Sequence, residues 1–362
     1  MTTDGVGGVW TYALELAEAL APLGVDVVLA TIGPPMTREQ RGQVVASAVV
    51  DVHEGRFPLE WAEAPWAEVD AAGDWLLGLG ADVAPDIVHL NGFVHAALPW
   101  RVPTVVVAHS CVTSWWLGVH GEAPPPAWDE YRRRVGAGLR AASAVVAPTR
   151  AMLDDVHRCY EVGGGTVVPN CRRAGERHPG TKEPLVLSAG RLWDEAKNLA
   201  ALDRVAAGLG APVAIAGEQR HPSGGEDHRG GGALLLGALA PPALATWFDR
   251  SAIFALPARY EPFGLAALEA GLAGCALVLG DIPSLREVWG GAATFVDPGD
   301  DAAIAAAIAH LLADEGAWAA AGGVARRRAL TFAPARTAAG YLEVYGRLAP
   351  SVGRRAPGVS LR

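Results

Sequence analysis

The segment YEPFGLAALE, which begins at residue 260, carries the residues whose types and spacing best suit chemistry. Glu261 precedes a proline, and Glu269 follows eight positions later. A helix is expected to begin near Phe263 and Gly264, where the free amides of Gly264 and Leu265 would suit a phosphate. Carboxylates suit polyols because each accepts several hydroxyl donors. The alternative is structural: Glu261 is an acid favoured at a helix start, and Glu269 lies on an exposed face.

Two cations stand at a second strand–helix junction, in the segment GRLWDEAKN. Arg191 follows Gly190, and Lys197 comes six positions after the arginine. A guanidinium fork and an ammonium group at such a junction can neutralise a pyrophosphate. The alternative is a pair of surface salt bridges with Asp194 and Glu195.

Two features of the first half are weaker candidates. Gly7 and Gly8 belong to a glycine-rich turn that opens a helix at Val9, and such a turn lets a backbone approach an anionic ligand. His109 directly follows the apolar run Thr104–Ala108, where an imidazole can contact a substrate. A plain tight turn and a structural histidine are the respective alternatives.

The elements that would position these residues form an alternating strand–helix pattern. A helix is predicted over Val9–Ala21, with apolar residues on one stripe. The apolar runs are continuous, as in parallel strands covered by helices on both faces, which predicts a doubly wound α/β fold that occurs twice. The predicted strands are Val25–Thr31, Ile87–Leu90, Thr104–Ala108, Ala144–Pro148, Leu185–Ala189, Val213–Ala216, Ala233–Leu236, Ile253–Leu256, Ala276–Leu279 and Ala293–Val296.

The chain length of 362 residues predicts two domains. The polar, aperiodic stretch 171–184 resembles a linker. The predicted organisation is an N-terminal domain over 1–170, this linker, a C-terminal domain over 185–334, a helix over 335–350 and a tail over 351–362. A polar surface loop is expected over Glu218–Gly232, and only about three residues precede the first glycine turn for a first strand.

Composition narrows the class of protein. The net charge of −9 argues against a nucleic-acid partner, and the cluster Arg132–Arg134 with Arg140 is expected to be a solvated helix face. The four scattered cysteines predict neither a disulfide framework nor a metal site. No signal peptide and no run of about 18 apolar residues is visible, so a cytoplasmic protein is expected, with peripheral membrane contact left open.

Three segments together resemble a known family. YEPFGLAALEA, AGRLWDEAKN and the opening GVGGVWTYALELAEAL are similar to the retaining glycosyltransferases of family 4, also called group 1, which have the GT-B fold. The resemblance covers almost the whole chain and is most specific from Leu185 to Pro298. It implies two Rossmann-like, doubly wound domains facing across a cleft, with the nucleotide-sugar donor held mainly by the C-terminal one. It also implies that the final helix crosses back to the N-terminal domain.

The resemblance also implies roles for individual residues. Arg191 and Lys197 would bind the donor pyrophosphate, Glu269 the ribose and Glu261 the transferred sugar. His109 matches a histidine beside the sugar at the reaction centre. Further donor contacts would come from the glycine turn, the start of the helix and the base-binding segment: Gly7, Gly8, Phe263, Gly264, Leu265, Gly237 and Leu239.

The implied reaction is metal-independent transfer with retention at the anomeric carbon and without a cofactor. The acceptor is a small molecule, a lipid or a polysaccharide, and neither it nor the donor sugar and base follows from the sequence. The alternatives are a sugar-nucleotide epimerase or phosphorylase on the same frame and a non-catalytic sugar-nucleotide binder.

Overall fold

The computed structural model describes residues 1–5, 7–175, 180–219 and 230–350. The chain divides into two compact units. The first unit contains Met1–Trp116, Glu122–Arg173 and the segment from Ala333 onward; the second contains Leu117–Gly121 and Ala174–Phe332. Residues 220–229 of the predicted polar loop and the whole predicted tail lie outside the described residues.

Up to the predicted linker, the strands and helices are, in chain order, β1 (Thr2–Asp4), α1 (Gly8–Leu20), β2 (Val27–Ile32), α2 (Arg38–Val45), β3 (Val49–Gly55), α3 (Trp66–Val83), β4 (Val88–Leu90), β5 (Thr104–Val107), α4 (Val112–His120), α5 (Asp129–Ala141), β6 (Ala144–Ala147), α6 (Arg150–Tyr160) and β7 (Thr166–Val167).

After the predicted linker they are β8 (Glu183–Ala189), α7 (Leu199–Ala206), β9 (Val213–Ala216), β10 (Leu234–Gly237), α8 (Pro241–Arg250), β11 (Ser251–Leu256), α9 (Leu265–Leu272), β12 (Ala276–Gly280), α10 (Pro283–Trp289), β13 (Thr294–Val296), α11 (Asp301–Leu312), α12 (Glu315–Ala329) and α13 (Pro334–Leu348).

In the first unit all strand pairs are parallel, in the orders β3-β2-β1 and β4-β5-β6-β7. The short first strand pairs over its whole length with β2, from Thr2 opposite Ala30 to Asp4 opposite Ile32. The core of the first unit includes the apolar stripe of α1 and the buried face of α13. The interior of β5 is apolar and fully buried because the strand is covered on both faces.

The second unit is built on one six-stranded parallel sheet in the order β10-β9-β8-β11-β12-β13. The central strands β8 and β11 are apolar and largely buried, and helices contribute further core side chains such as Trp289. The predicted doubly wound α/β pattern is therefore present in both units. Within the described ranges, no helix combines the length and the apolar character needed to span a membrane.

Candidate active site

The donor-site candidates of the second unit lie at the carboxyl ends of β8 and β11. Arg191, two residues after β8, donates from Nη2 to Asp194 Oδ2 at 2.7 Å, and its guanidinium stacks over the Trp193 ring at 4.9 Å. Asp194 is buried and its Oδ1 accepts from the backbone N–H of Ala196 at 3.1 Å. The structure thus contains one of the two salt bridges that were the alternative to a phosphate site.

Lys197 makes a different ion pair from the one considered in the sequence. Its ammonium donates to Glu261 Oε2 at 2.7 Å, and the two side chains are only 17% and 14% exposed. The backbone N–H of Arg259 donates to Ala196 O at 2.8 Å, which joins the loop after β8 to the loop after β11. Two residues that are 64 positions apart in the chain are therefore brought together at one edge of the sheet.

Asn198 holds the turn that presents Lys197. Its backbone is left-handed, with a φ of 54°. Its amide donates to Pro257 O at 2.9 Å and to Pro298 O at 2.7 Å, so it ties the loop after β8 to those after β11 and β13. Asparagine adopts this left-handed conformation more readily than most residues other than glycine.

The carboxylate of Glu261 also accepts a hydrogen bond from the backbone at the start of α9. Its Oε1 accepts from Gly264 N–H at 3.0 Å, and Phe263 N–H lies at 3.5 Å. The Ser284 hydroxyl donates to the Glu261 carbonyl at 2.5 Å and fixes the backbone. Gly264 has a φ of 89°, a conformation that glycine adopts without the strain of a Cβ, and the helix itself begins at Leu265. One carboxylate therefore bridges a cation and a helix-start amide.

The other predicted donor residues of this unit have less specific surroundings. Glu269 is half-buried within α9, and Gly237 ends β10 with a left-handed φ of 69°. Leu239 packs against the core. The Phe263 ring is buried and edge-on to Phe332 at 5.5 Å, so any contact of Phe263 with a ligand is through its backbone.

Gly217 lies at the carboxyl end of β9, beside the candidate residues that follow β8. It was not among the predicted site residues. Its φ is 149°, and a Cβ placed on it would lie 1.7 Å from the carbonyl oxygen of Gly190. Its N–H donates to Gly237 O at 2.8 Å. The three glycines that end β8, β9 and β10 are thus in close backbone approach, which a side chain at Gly217 would prevent.

In the first unit, His109 lies two residues after β5 and is half-buried. Its Nε2 is 2.9 Å from Asn91 Oδ1, and its ring stands edge-on to Tyr12 with centroids 4.5 Å apart. Burial lowers the pKa of His109 to about 3, so the imidazole is neutral at physiological pH. A neutral imidazole can serve as a hydrogen-bonding group for a hydroxyl.

Gly7 and Gly8 lie after β1, on the same unit as His109. Gly7 has a φ of 81° and precedes the first residue of α1, and both glycines are exposed. The carbonyl of Gly5 accepts from Gln40 Nε2 at 2.9 Å, which ties the glycine turn to α2. Val6, within this turn, lies outside the described residues.

Asn91 joins β1 to β4 and was not predicted to do so. Its backbone N–H donates to Thr2 Oγ1 at 3.0 Å and its Nδ2 donates to Thr2 O at 2.7 Å. The strands β1 and β4 belong to two separate parallel sheets of the first unit, and these two hydrogen bonds connect them. A signal was present in the sequence, because Asn91 is a polar residue directly after a buried strand.

Among residues 1–5, 7–175, 180–219 and 230–350, no three His, Cys, Asp or Glu side chains come together as a metal site. All four cysteines are free thiols.

Comparisons with known proteins place the chain among glycosyltransferases. The model of Glycosyltransferase Family 4 matches residues 6–172, and that of Glycosyl transferases group 1 matches residues 183–314. Glycogen synthase of Mycobacterium tuberculosis (strain ATCC 25618 / H37Rv) is 30% identical over 351 residues, which is 86% of this chain and 84% of that protein. D-inositol 3-phosphate glycosyltransferase of Thermobispora bispora is 27% identical, over 98% of this chain and 93% of that protein.

Solved structures share the fold. Sucrose-phosphate synthase from Thermosynechococcus elongatus superposes with a TM-score of 0.78 at 18% identity, covering 96% of this chain and 95% of that one. Anabaena HepE in complex with UDP and glucose superposes with a TM-score of 0.74 at 15% identity, over 96% and 99% of the two chains. The predicted GT-B fold class is confirmed. With the sequence relatives and the family models, these findings show that the chain belongs to the glycosyltransferases of family 4, group 1.

Proposed function

We propose that this glycosyltransferase transfers a sugar from a nucleotide-diphosphate sugar to a hydroxyl acceptor, with retention at the anomeric carbon and without a metal ion. The observation that carries the proposal is the carboxylate of Glu261, which accepts both from the Lys197 ammonium at 2.7 Å and from the Gly264 amide at 3.0 Å. A cation and a helix-start amide that converge on one anionic group form an arrangement that also suits a phosphate.

A donor pyrophosphate would take the place of that carboxylate. A phosphate oxygen accepts from an ammonium and an amide just as a carboxylate oxygen does. Arg191 belongs to the same loop as Lys197, and its side chain is 36% exposed. The departing nucleoside diphosphate would then be stabilised by fixed positive groups, the electrostatic role that a metal ion has in other enzymes. Glu261, released from Lys197, would accept hydroxyls of the transferred sugar.

The remaining residues would complete the donor and reaction sites. Glu269 on α9 would accept the ribose hydroxyls, and the backbone from Gly237 to Leu239 would contact the base. Gly7 and Gly8 would allow close approach of the donor phosphate or the acceptor. His109, neutral at physiological pH, would hydrogen-bond a hydroxyl of the sugar.

The relatives support a nucleotide-sugar donor and leave the acceptor open. HepE was crystallised with UDP-glucose, while other relatives are named for glycogen, sucrose-phosphate or inositol 3-phosphate as products or acceptors. The acceptor is therefore proposed by class alone, as a hydroxyl of a small molecule, a lipid or a polysaccharide. We place the reaction in the cytoplasm, where peripheral contact with a membrane would bring the enzyme to a lipid acceptor.

A thermal-shift panel of UDP, GDP and ADP, each alone and as its glucose conjugate, tests the donor class. A ligand that binds only the folded chain raises its melting temperature. We expect one nucleotide to raise it by several degrees in the wild type and to have little effect on Lys197→Ala. Arg250→Ala is the matched control, since it breaks an exposed ion pair with Glu183 of similar length, 2.8 Å, and should keep the wild-type response. A response that persists unchanged in Lys197→Ala contradicts the proposed site.

A further inference from the structure

The amide of Asn91 has only one possible orientation in the structure. Its Nδ2 is 2.7 Å from the carbonyl oxygen of Thr2, an atom that can accept a hydrogen bond but cannot donate one. The NH2 group must therefore face Thr2, and the amide oxygen must face the other way. That oxygen lies 2.9 Å from Nε2 of His109.

The orientation of the amide determines which nitrogen of His109 carries the proton. Oδ1 of Asn91 only accepts, so a hydrogen bond at 2.9 Å requires the proton to be on Nε2. The pKa of His109 is lowered to about 3 by burial, and the ring carries a single proton at neutral pH. The second nitrogen, Nδ1, is then an unprotonated acceptor, and it has no hydrogen-bond partner among the described residues.

A second histidine supports the same amide oxygen. Nε2 of His89 lies 3.3 Å from Oδ1 of Asn91, and Nδ1 of His89 lies 2.7 Å from the hydroxyl of Tyr345 on α13. The Tyr345 hydroxyl can donate to Nδ1, which leaves the proton of His89 on Nε2, where it faces both Oδ1 of Asn91 and the hydroxyl oxygen of Tyr12 at 3.3 Å each. With these tautomers, His89 and His109 both donate from Nε2 to the amide oxygen of Asn91.

We propose that Asn91 is a positioning residue, which holds His109 in the Nε2–H tautomer so that Nδ1 is available to accept a hydrogen bond from a hydroxyl of the sugar. The inference rests on the proposed function for its last step only. Its first step, the tautomer, is a property of the free protein. A purely structural role is the competing explanation, since Asn91 also joins the ends of β1 and β4 through Thr2.

Nitrogen-15 NMR of the full chain, labelled at histidine, tests the tautomer without any substrate. Signals of His109 are identified by their loss in His109→Gln. We expect Nε2 of His109 to be protonated and Nδ1 to be unprotonated at neutral pH. His95 is an internal reference, because its Nε2 faces the carbonyl of Val69 at 3.0 Å and must also carry the proton. A proton on Nδ1 of His109 in the wild type overturns the proposal, whether or not Asn91→Leu folds.

Substitution of the amide tests its effect on the tautomer. In Asn91→Leu, which has a similar size and no polar atoms, we expect the two His109 tautomers to mix while the His95 signals stay unchanged. A wild-type tautomer of His109 in a folded Asn91→Leu variant contradicts the role of Asn91.

A double-mutant cycle separates positioning from structural support. Asn91→Leu should lower kcat about 10-fold or more, because a misoriented reacting group loses much of its effect, and donor KM should change little. In the His109→Ala background the same substitution should lower kcat no further, since residues that act through one another are not additive. If the losses of kcat in the two single variants multiply in the double variant, the role of Asn91 is merely structural. If the wild type transfers no sugar at all, the proposed function fails while the tautomer result stands.

Discussion

The ion pair between Lys197 and Glu261 yields the sharpest prediction, because its two members should respond in opposite directions to nucleotide. In the free protein the Glu261 carboxylate accepts hydrogen bonds from the Lys197 ammonium at 2.7 Å and from the Gly264 amide at 3.0 Å. A nucleoside diphosphate must displace it from both. Lys197→Ala should therefore weaken binding of the nucleoside diphosphate, whereas Glu261→Gln should leave it unchanged or tighter.

The size of each effect follows from the contacts. At 2.7 Å and an effective dielectric constant of about 20, the attraction of the pair is about 6 kcal/mol before desolvation is considered. The net value of a hydrogen bond to a charged group is about 1.5–3 kcal/mol, so loss of the ammonium should weaken nucleotide binding roughly 10- to 150-fold. Glutamine at position 261 retains an oxygen for Gly264 but no longer competes as a charge for Lys197.

Isothermal titration calorimetry with the nucleoside diphosphate identified by the thermal-shift panel measures both effects, and Arg250→Ala again provides the control for loss of an exposed ion pair. Both Lys197→Ala and Glu261→Gln should lower the transfer rate by roughly 100-fold or more, as is typical when a group that stabilises transition-state charge is lost. Displacement of Glu261 by the nucleotide is ruled out if Glu261→Gln weakens nucleotide binding as strongly as Lys197→Ala. That result would mean that Glu261 serves only to orient the lysine.

Three further outcomes are expected. His109→Ala should reduce kcat strongly; a lower melting temperature with unchanged turnover would assign it a structural role only. Gly264→Ala should destabilise the second unit by about 1 kcal/mol or more, as seen in thermal unfolding, because the backbone there has a φ of 89° and the new Cβ would lie 3.2 Å from Leu285. Burial lowers the pKa of His109 in the folded chain to about 3 from its ordinary value of 6.5, so the unfolded chain binds more protons between these pH values. The free energy of unfolding should fall as pH drops from 6.5 towards 3, and urea titrations of His109→Gln should show a smaller fall.

Much of the fold could be predicted because parallel strands covered on both faces are continuously apolar. Strands such as β5 and β9 were located to within one residue in this way. The strand β3 (VVDVHEG) was missed because it is the edge of its sheet and alternates apolar with polar residues such as Asp51 and His53. A search for continuous apolar runs does not detect such a strand.

The sequence suggests candidate residues for the site but not the contacts between them. Glu261 and Lys197 were both candidates, but their pairing depends on loops that β8 and β11 bring together, and sequence separation conceals this contact. The side chain of Phe263 belongs to the core, since the helix start turns its ring towards Phe332. Asn91 was missed because its importance comes from an amide oriented by Thr2, a residue on a different strand.

The anomeric configuration of the first product distinguishes retaining transfer from the alternatives. Proton NMR of a reaction started with the α-linked nucleotide sugar and run in excess EDTA follows the new glycosidic bond as it forms. For a retaining, metal-independent transferase we expect an α-linked product, formed at a rate that the chelator does not change. A β-linked first product, a requirement for added metal, or a sugar that is epimerised without transfer to an acceptor would contradict it.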